Sequence, residues 1–288
     1  MDAEKQDSRT VTEAQVFSRQ WTPPAGVLGR IMVESAARVA AMSDADRRAI
    51  ERAAAAAPPA PSLVDALSRD DVAVIAEVKR RSPSKGALRE SIAAEEQASA
   101  FERGGAAAIS VLTEPHHFGG SLADLETARA HVHIPLLRKD FHIDSIQLYE
   151  ARASGASAAL LIARALAPAS LQRLMSLADE LGIEPLVEVR TDAELMLALE
   201  LGARTIGINS RDLESLEVDP GVPERLLPLV PNGVIAVAES GIESLDDVAD
   251  RARWGADAVL VGSLFSQSDD PAAAVRAFTG VPRSPRAR

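Results

Sequence analysis

The sequence predicts an α/β fold, a (β/α)8 TIM barrel with an N-terminal helical extension. Three observations predict it. From Asp71 onward, eight short apolar runs alternate with eight helical patterns. A glycine (Gly104, Gly155, Gly202 or Gly255) closes several of the helical patterns, and alanine then leads into the next apolar run, as a helix C-cap feeding a strand would. Polar residues gather at the C-terminal ends of the apolar runs, where a parallel barrel carries its active site.

Taken in order, residues 1–24 read as a polar tail and residues 25–70 as the helical extension. Val27, Ile31, Ser35-Ala36, Val39 and Met42 recur at helical spacing. A second helix begins at Asp44-Ala45-Asp46 with Ser43 as N-cap, and the Ala/Pro-rich stretch Ala53–Pro61 reads as a connector. Residues 71–280 form the barrel. Its expected strands are Val72–Lys79, Ala107–Thr113, Ile134–Phe141, Ala158–Ala163, Pro185–Arg190, Thr205–Asn209, Val234–Ser240 and Ala258–Ser263. The helices between and after them are Ile92–Arg103, Leu122–Ala130, Ser145–Ala153, Ala169–Leu181, Asp192–Leu201, Pro223–Leu229, Leu245–Trp254 and Pro271–Phe278. Residues 281–288 read as a C-terminal tail. An open doubly wound sheet is the competing closure. The count of eight and the even spacing favour the barrel, and no Gly-x-Gly-x-x-Gly follows the first strand.

Composition narrows the function. The chain is 47% hydrophobic with only 3% aromatic residues, so Ala, Leu, Val and Ile build the core. The absence of cysteine excludes disulfides, thiolate metal sites and thiol nucleophiles. A net charge of −11 argues against nucleic acid as a partner. No apolar run reaches the ~20 residues of a membrane span, and the first twenty residues lack the apolar stretch of a signal peptide, so a cytoplasmic location is expected.

The chemistry starts in Val74–Gly86. Glu77 and Lys79 lie two residues apart at the end of a buried strand, so both point to the same side. Desolvating such charges costs several kcal/mol per ion unless they are paired, so a purely structural Glu–Lys pair competes with a catalytic one. The recurrence of the pattern favours a shared site. Strand three ends in Arg138-Lys139-Asp140, strand five carries Glu188, strand six ends in Asn209-Ser210-Arg211-Asp212, and strand seven ends in Glu239. Asp140 and Asp212 read as supports for neighbouring loops. Ser240-Gly241 and Gly262-Ser263 end strands seven and eight, the usual phosphate corner of this fold, although either glycine alone would also suit a tight turn. The turn from Ser82 to Gly86 can close over the same anion. Phe118, Leu160, Ile162 and Leu186 fall near the rim as an apolar wall or as ordinary core. No His or Asp cluster has metal-ligand spacing, so cofactor-free acid–base chemistry is expected. His116-His117 reads as a solvated loop pair, and His131 and His133 fall on the opposite face of the barrel.

These residues resemble the indole-3-glycerol phosphate synthase family. The likeness runs through Ile75–Gly86, Ser110–Pro115 with Phe118-Gly119-Gly120-Ser121, Leu137–Phe141, Glu184–Val189, Gly207–Leu213 and Ala238–Ile242, and it covers about Val27 to Phe278. His142 departs from the aliphatic residue usual after Lys-Asp-Phe, and Ser157 departs from the usual Gly-Ala-Asp. The resemblance implies ring closure of 1-(2-carboxyphenylamino)-1-deoxyribulose 5-phosphate to indole-3-glycerol phosphate, with loss of CO₂ and water, in tryptophan biosynthesis. It implies Lys139 as general acid and Glu188 as base. Lys79 becomes a second acid oriented by Glu77, and Asn209 and Arg211 join Lys79 on the carboxylate and the reacting chain. Glu239 would bind hydroxyl or ammonium groups; Ser82, Ser240, Gly241, Gly262 and Ser263 the phosphate; Phe118, Leu160, Ile162 and Leu186 the ring. The implied partner is a small phosphorylated substrate, with no nucleic acid, no membrane and a monomer favoured. A sugar-phosphate isomerase would keep the phosphate corner without needing Lys79, Lys139 and Glu188 together. A non-catalytic barrel subunit would be expected to lack one of the three.

Overall fold

The computed structural model of the chain describes residues 21–84, 86–87 and 93–286. Within them every apolar run becomes a parallel strand: β1 (Ala73–Val78), β2 (Ala108–Leu112), β3 (Leu136–Lys139), β4 (Ala158–Ile162), β5 (Glu184–Val189), β6 (Thr205–Asn209), β7 (Ile235–Glu239) and β8 (Ala258–Val261). Each strand pairs with its sequence neighbours, and β1 closes the ring on β8, with Ala73 opposite Ala258. Several strands stop short of their apolar runs. β3, for example, begins at Leu136, after Pro135, which has no N–H to give the ladder.

The barrel helices are α4 (Ala94–Gly104), α5 (Leu122–His131), α6 (Ser145–Ala153), α7 (Pro168–Leu181), α8 (Asp192–Glu200), α9 (Gly221–Leu226), α10 (Leu245–Arg253), the short α11 (Ser263–Gln267) and α12 (Pro271–Arg276). Ser121, Asp144, Thr191 and Ser244 cap four of them through side-chain oxygens. Gly104 is not the cap expected for α4. It lies in the last turn, where a Cβ would sit 2.6 Å from the Ala272 carbonyl oxygen, and Gly105 takes the left-handed cap at φ 96°. The start of the expected helix at Ile92 falls outside the described residues.

The extension wraps the barrel from one mouth to the other. α1 (Gly26–Ala40) lies over the C-terminal mouth, where Val27 N and Leu28 N donate to the Glu214 and Leu213 carbonyls. α2 (Asp44–Ala56), capped by the expected Ser43 with a reciprocal Asp46 contact, runs beside α6, and Arg47 pairs there with Asp144. It extends into the stretch expected as a connector and ends just before Pro58. α3 (Leu63–Leu67) has no counterpart in the sequence reading, because five residues are too few to display a period. Ser62 Oγ and Val64 N donate to the Glu184 carboxylate at the start of β5, which seats α3 under the N-terminal mouth.

Two apolar layers follow from strand alternation. Val74, Ala76, Ile109, Leu161, Val187 and Ile206 face the helices. Ile75, Leu137, Leu160, Leu186, Val237 and Leu260 fill the barrel interior together with Leu28, Ile31, Leu63 and Leu67 from the extension. At the far end the last residues pack back on the barrel. Val72 N donates to the Val281 carbonyl, and Arg283 and Arg286 both pair with the buried Asp257.

Candidate active site

β1 delivers Glu77 one residue before its end, and Lys79 follows just beyond it. The expected shared side is realised as an ion pair of 2.8 Å from Lys79 Nζ to Glu77 Oε1. Ser110 Oγ of β2 donates to the other carboxylate oxygen at 3.3 Å. Lys139 is the last residue of β3, and its Nζ lies 3.2 Å from Glu239 Oε2 on β7 and 3.7 Å from Glu188 Oε2 on β5. Asn209 ends β6 and accepts from Arg211 N at 2.9 Å, while the Arg211 guanidinium donates to the Leu216 carbonyl at 2.8 Å. Glu77, Lys79, Lys139, Glu188, Asn209, Arg211 and Glu239 line one cavity of about 360 Å³, together with Ser82, Phe118, Leu160, Ile162, Ser240, Gly241, Gly262 and Ser263.

Leu186 is the one expected site residue that is not brought to this wall. It is fully buried in the barrel interior, two residues below Glu188. A residue two positions earlier on the same strand shares its face but sits deeper. The expected loop closure by Ser82–Gly86 is only partly visible: Ser82, Pro83 and Ser84 line the cavity, but Lys85 lies outside the described residues. Of the expected loop pair, His116 is exposed and His117 half-buried, with its Nε2 2.9 Å from Glu34 of α1. Asp140 accepts from Phe141 N at 2.8 Å and Thr113 Oγ1 at 2.7 Å, and Asp212 accepts from Glu214 N at 2.7 Å, so both brace loops.

The wall also holds residues that carry no signal of their own in the sequence. Phe141 sits with its ring 6.0 Å from that of Phe118, and Leu112, Leu213 and Leu260 complete the apolar side. Two glycines make room for the charges. A Cβ at Gly207 would fall 2.1 Å from Glu239 Oε1, and one at Gly262 would fall 2.5 Å from Glu77 Oε1. A glycine inside a strand is the sequence signal for such close approach, and Gly207 in Thr-Ile-Gly-Ile-Asn carries it. Ser240 and Gly241 are successive left-handed residues at φ 64° and 63°. That conformation costs a serine roughly 1–2 kcal/mol. Ser210 Oγ, donating to the Glu239 carbonyl at 3.1 Å, and Arg251, donating to the Gly241 carbonyl at 3.0 Å, hold the turn in place.

Burial and charge set the protonation pattern. Burial alone would lower Lys139, but Glu239, Glu188 and Glu77 outweigh it and hold the ammonium protonated far above the ordinary lysine range. Burial would raise Glu77, but Lys79 and Lys139 overcome it and keep that carboxylate ionised. Burial lifts Glu239 to about 8, with Glu188 adding to the effect and Lys139 opposing it. Near neutral pH Glu77 is therefore ionised and Lys139 protonated. Such an arrangement can donate a proton from Lys139 or Lys79 and accept one at Glu188, beside a corner suited to an anion.

The indole-3-glycerol phosphate synthase family matches residues 28–278. Indole-3-glycerol phosphate synthase 1 of Streptomyces coelicolor is 48% identical over 239 residues, 83% of this chain and 89% of that protein. Indole-3-glycerol phosphate synthase of Rhodococcus jostii is 47% identical over 249 residues, 86% and 91% of the two chains. Among solved structures, thiamine phosphate pyrophosphorylase from Pyrococcus furiosus superposes with a TM-score of 0.56 at 17% identity, covering 75% of this chain and 96% of that one. That likeness is one of fold.

Proposed function

The chain belongs to the indole-3-glycerol phosphate synthase family, and from that premise we propose which of its side chains perform each step. The reaction closes 1-(2-carboxyphenylamino)-1-deoxyribulose 5-phosphate to indole-3-glycerol phosphate, releasing CO₂ and water. The ring carbon bearing the carboxylate attacks the ketone carbon while Lys139 Nζ gives a proton to the ketone oxygen. The high affinity of Lys139 for its proton is no obstacle, because the alkoxide that would otherwise form is a stronger base still. The ammonium also stabilises the charge as it develops. The ring–carboxylate bond then breaks, its electrons restore the benzene ring, and CO₂ departs. Glu188 removes a proton from the new five-membered ring, and Lys79, held by Glu77, protonates the hydroxyl that leaves as water.

Asn209 and Arg211 take the carboxylate with Lys79. Ser82, Ser240, Gly241, Gly262 and Ser263 take the phosphate, and Glu239 a substrate hydroxyl. Phe118, Leu160 and Ile162 flank the aromatic ring. Leu186 supports this wall from below. Our reading also favours a monomer in the cytoplasm, with residues 25–70 as an extension of the 71–280 barrel. Its support is that α1 and α3 cover both mouths within a single chain, and that the chain is acidic with no long apolar run.

The observation that carries the assignment is the Lys139 ammonium suspended between Glu239 and Glu188 at 3.2 and 3.7 Å. Lys139→Met is close in volume and uncharged. Steady-state kinetics followed by indole fluorescence should give a kcat lower by ~10²–10⁴-fold with KM little changed. A kcat within a few-fold of the parent would transfer the role of first acid to Lys79.

A further inference from the structure

Glu114 lies just past β2, fully buried, and takes no part in the steps above. Its Oε1 accepts from His116 N at 3.0 Å, and its Oε2 accepts from His117 N at 2.6 Å and Phe118 N at 3.0 Å. Three consecutive amides converging on one carboxylate fix the backbone that carries the Phe118 ring. Among the described residues, the cation in contact with Glu114 is Arg38 of α1, with Nη1 3.4 Å from Oε1. The other amino nitrogen of Arg38 lies 3.4 Å from Asp140 Oδ1, the carboxylate that also holds Phe141 N. One turn earlier in α1, Ser35 Oγ donates to the Phe141 carbonyl at 2.9 Å. The two aromatic walls thus hang from a single helix outside the barrel.

We propose that Arg38 is a positioning residue for the aromatic half of the substrate, bridging Glu114 and Asp140 so that Phe118 and Phe141 stand as the walls of a ring slot. The inference rests on reading Phe118 as a ring contact. A buried carboxylate stripped of its cation draws in water or a proton and loosens the amides it holds. Asp140 keeps Arg138 at 3.1 Å and Thr113 at 2.7 Å without Arg38, so the loss falls on the Phe118 side. Ring affinity should therefore suffer while the grip on phosphate and the Lys139 step persist. Lysine, a point charge rather than a fork, can serve only one of the two carboxylates.

The test is calorimetric titration of the full chain with indole-3-glycerol phosphate and, separately, glycerol 3-phosphate. For Arg38→Met the expected result is roughly tenfold weaker binding of the first ligand and unchanged binding of the second. KM should rise in parallel and kcat should stay within about twofold, as for a loss of binding that is uniform between ground and transition states. Arg38→Lys should recover part of the loss. Glu114→Gln, which removes the charge at the other end, should reproduce the pattern even if Arg38→Met precipitates. Equal weakening of both ligands, or no change in either, would overturn the role. A parent that binds glycerol 3-phosphate but not indole-3-glycerol phosphate would overturn the ring-slot reading and this inference with it.

Discussion

Three glutamates, Glu77, Glu188 and Glu239, face two lysines around one cavity, and burial there lifts Glu239. Its pKa of about 8 in the folded chain stands against an ordinary value of 4.5. Between those values the folded chain holds a proton that the unfolded chain lacks, so this contribution to stability is full below the lower value and is lost as pH rises through the upper one. Glu239→Gln removes the dependence. The melting temperature of the variant relative to the parent should climb from pH 6 to pH 9, read by thermal unfolding, while kcat falls. A difference independent of pH would mean that Glu239 is ionised throughout. The identity of these charged residues could be read from the sequence, because polar side chains inside apolar strands stand out. Their spacing could not. Gly207 signals a close approach without naming what approaches, since Glu239 comes from the neighbouring strand, and the depth of Leu186 depends on strand stagger.

Strands and long helices were readable because burial on one or both faces leaves a period in the sequence. Short elements were not. α3 and α11 have five residues each, and what fixes α3 is Glu184, more than a hundred residues away in sequence. The segment after α12 looked like a tail because it has no apolar period, yet it is tied down by charge. Arg286 donates to Asp257 at 2.8 Å and to the Gly255 carbonyl at 2.7 Å, and its stem packs against Gly255. Arg286→Ala should cost about 2–3 kcal/mol, since among the described residues the buried Asp257 then keeps Arg283 and the Ala236 amide. Chemical denaturation measures the loss. Turnover at low temperature should not change, because Asp257 stands at the start of β8, at the other end of the barrel from the cavity.

For the molecule as a whole, the barrel followed from the count and spacing of its strands, and the position of the extension across both mouths did not. The acid limit of stability also belongs to this scale. His142 is buried with Nδ1 on the Leu160 carbonyl at 2.7 Å, and burial with Arg138 nearby lowers its pKa to about 4 from 6.5. As pH falls from about 6.5 to 4 the unfolded chain gains a proton that the folded chain refuses, so stability drops through that window. His142→Leu should flatten this part of a stability-against-pH curve, by up to about 1.4 kcal/mol per pH unit. An unchanged slope would place the acid sensitivity elsewhere. Lys139 on β3 and Glu239 on β7 stand four places apart in a ring of eight strands, on opposite walls. A chain cut between β4 and β5 would leave Lys79 and Lys139 on one fragment and Glu188, Asn209 and Glu239 on the other. Turnover by co-expressed halves would then serve as a direct gauge of how well two half-barrels find each other.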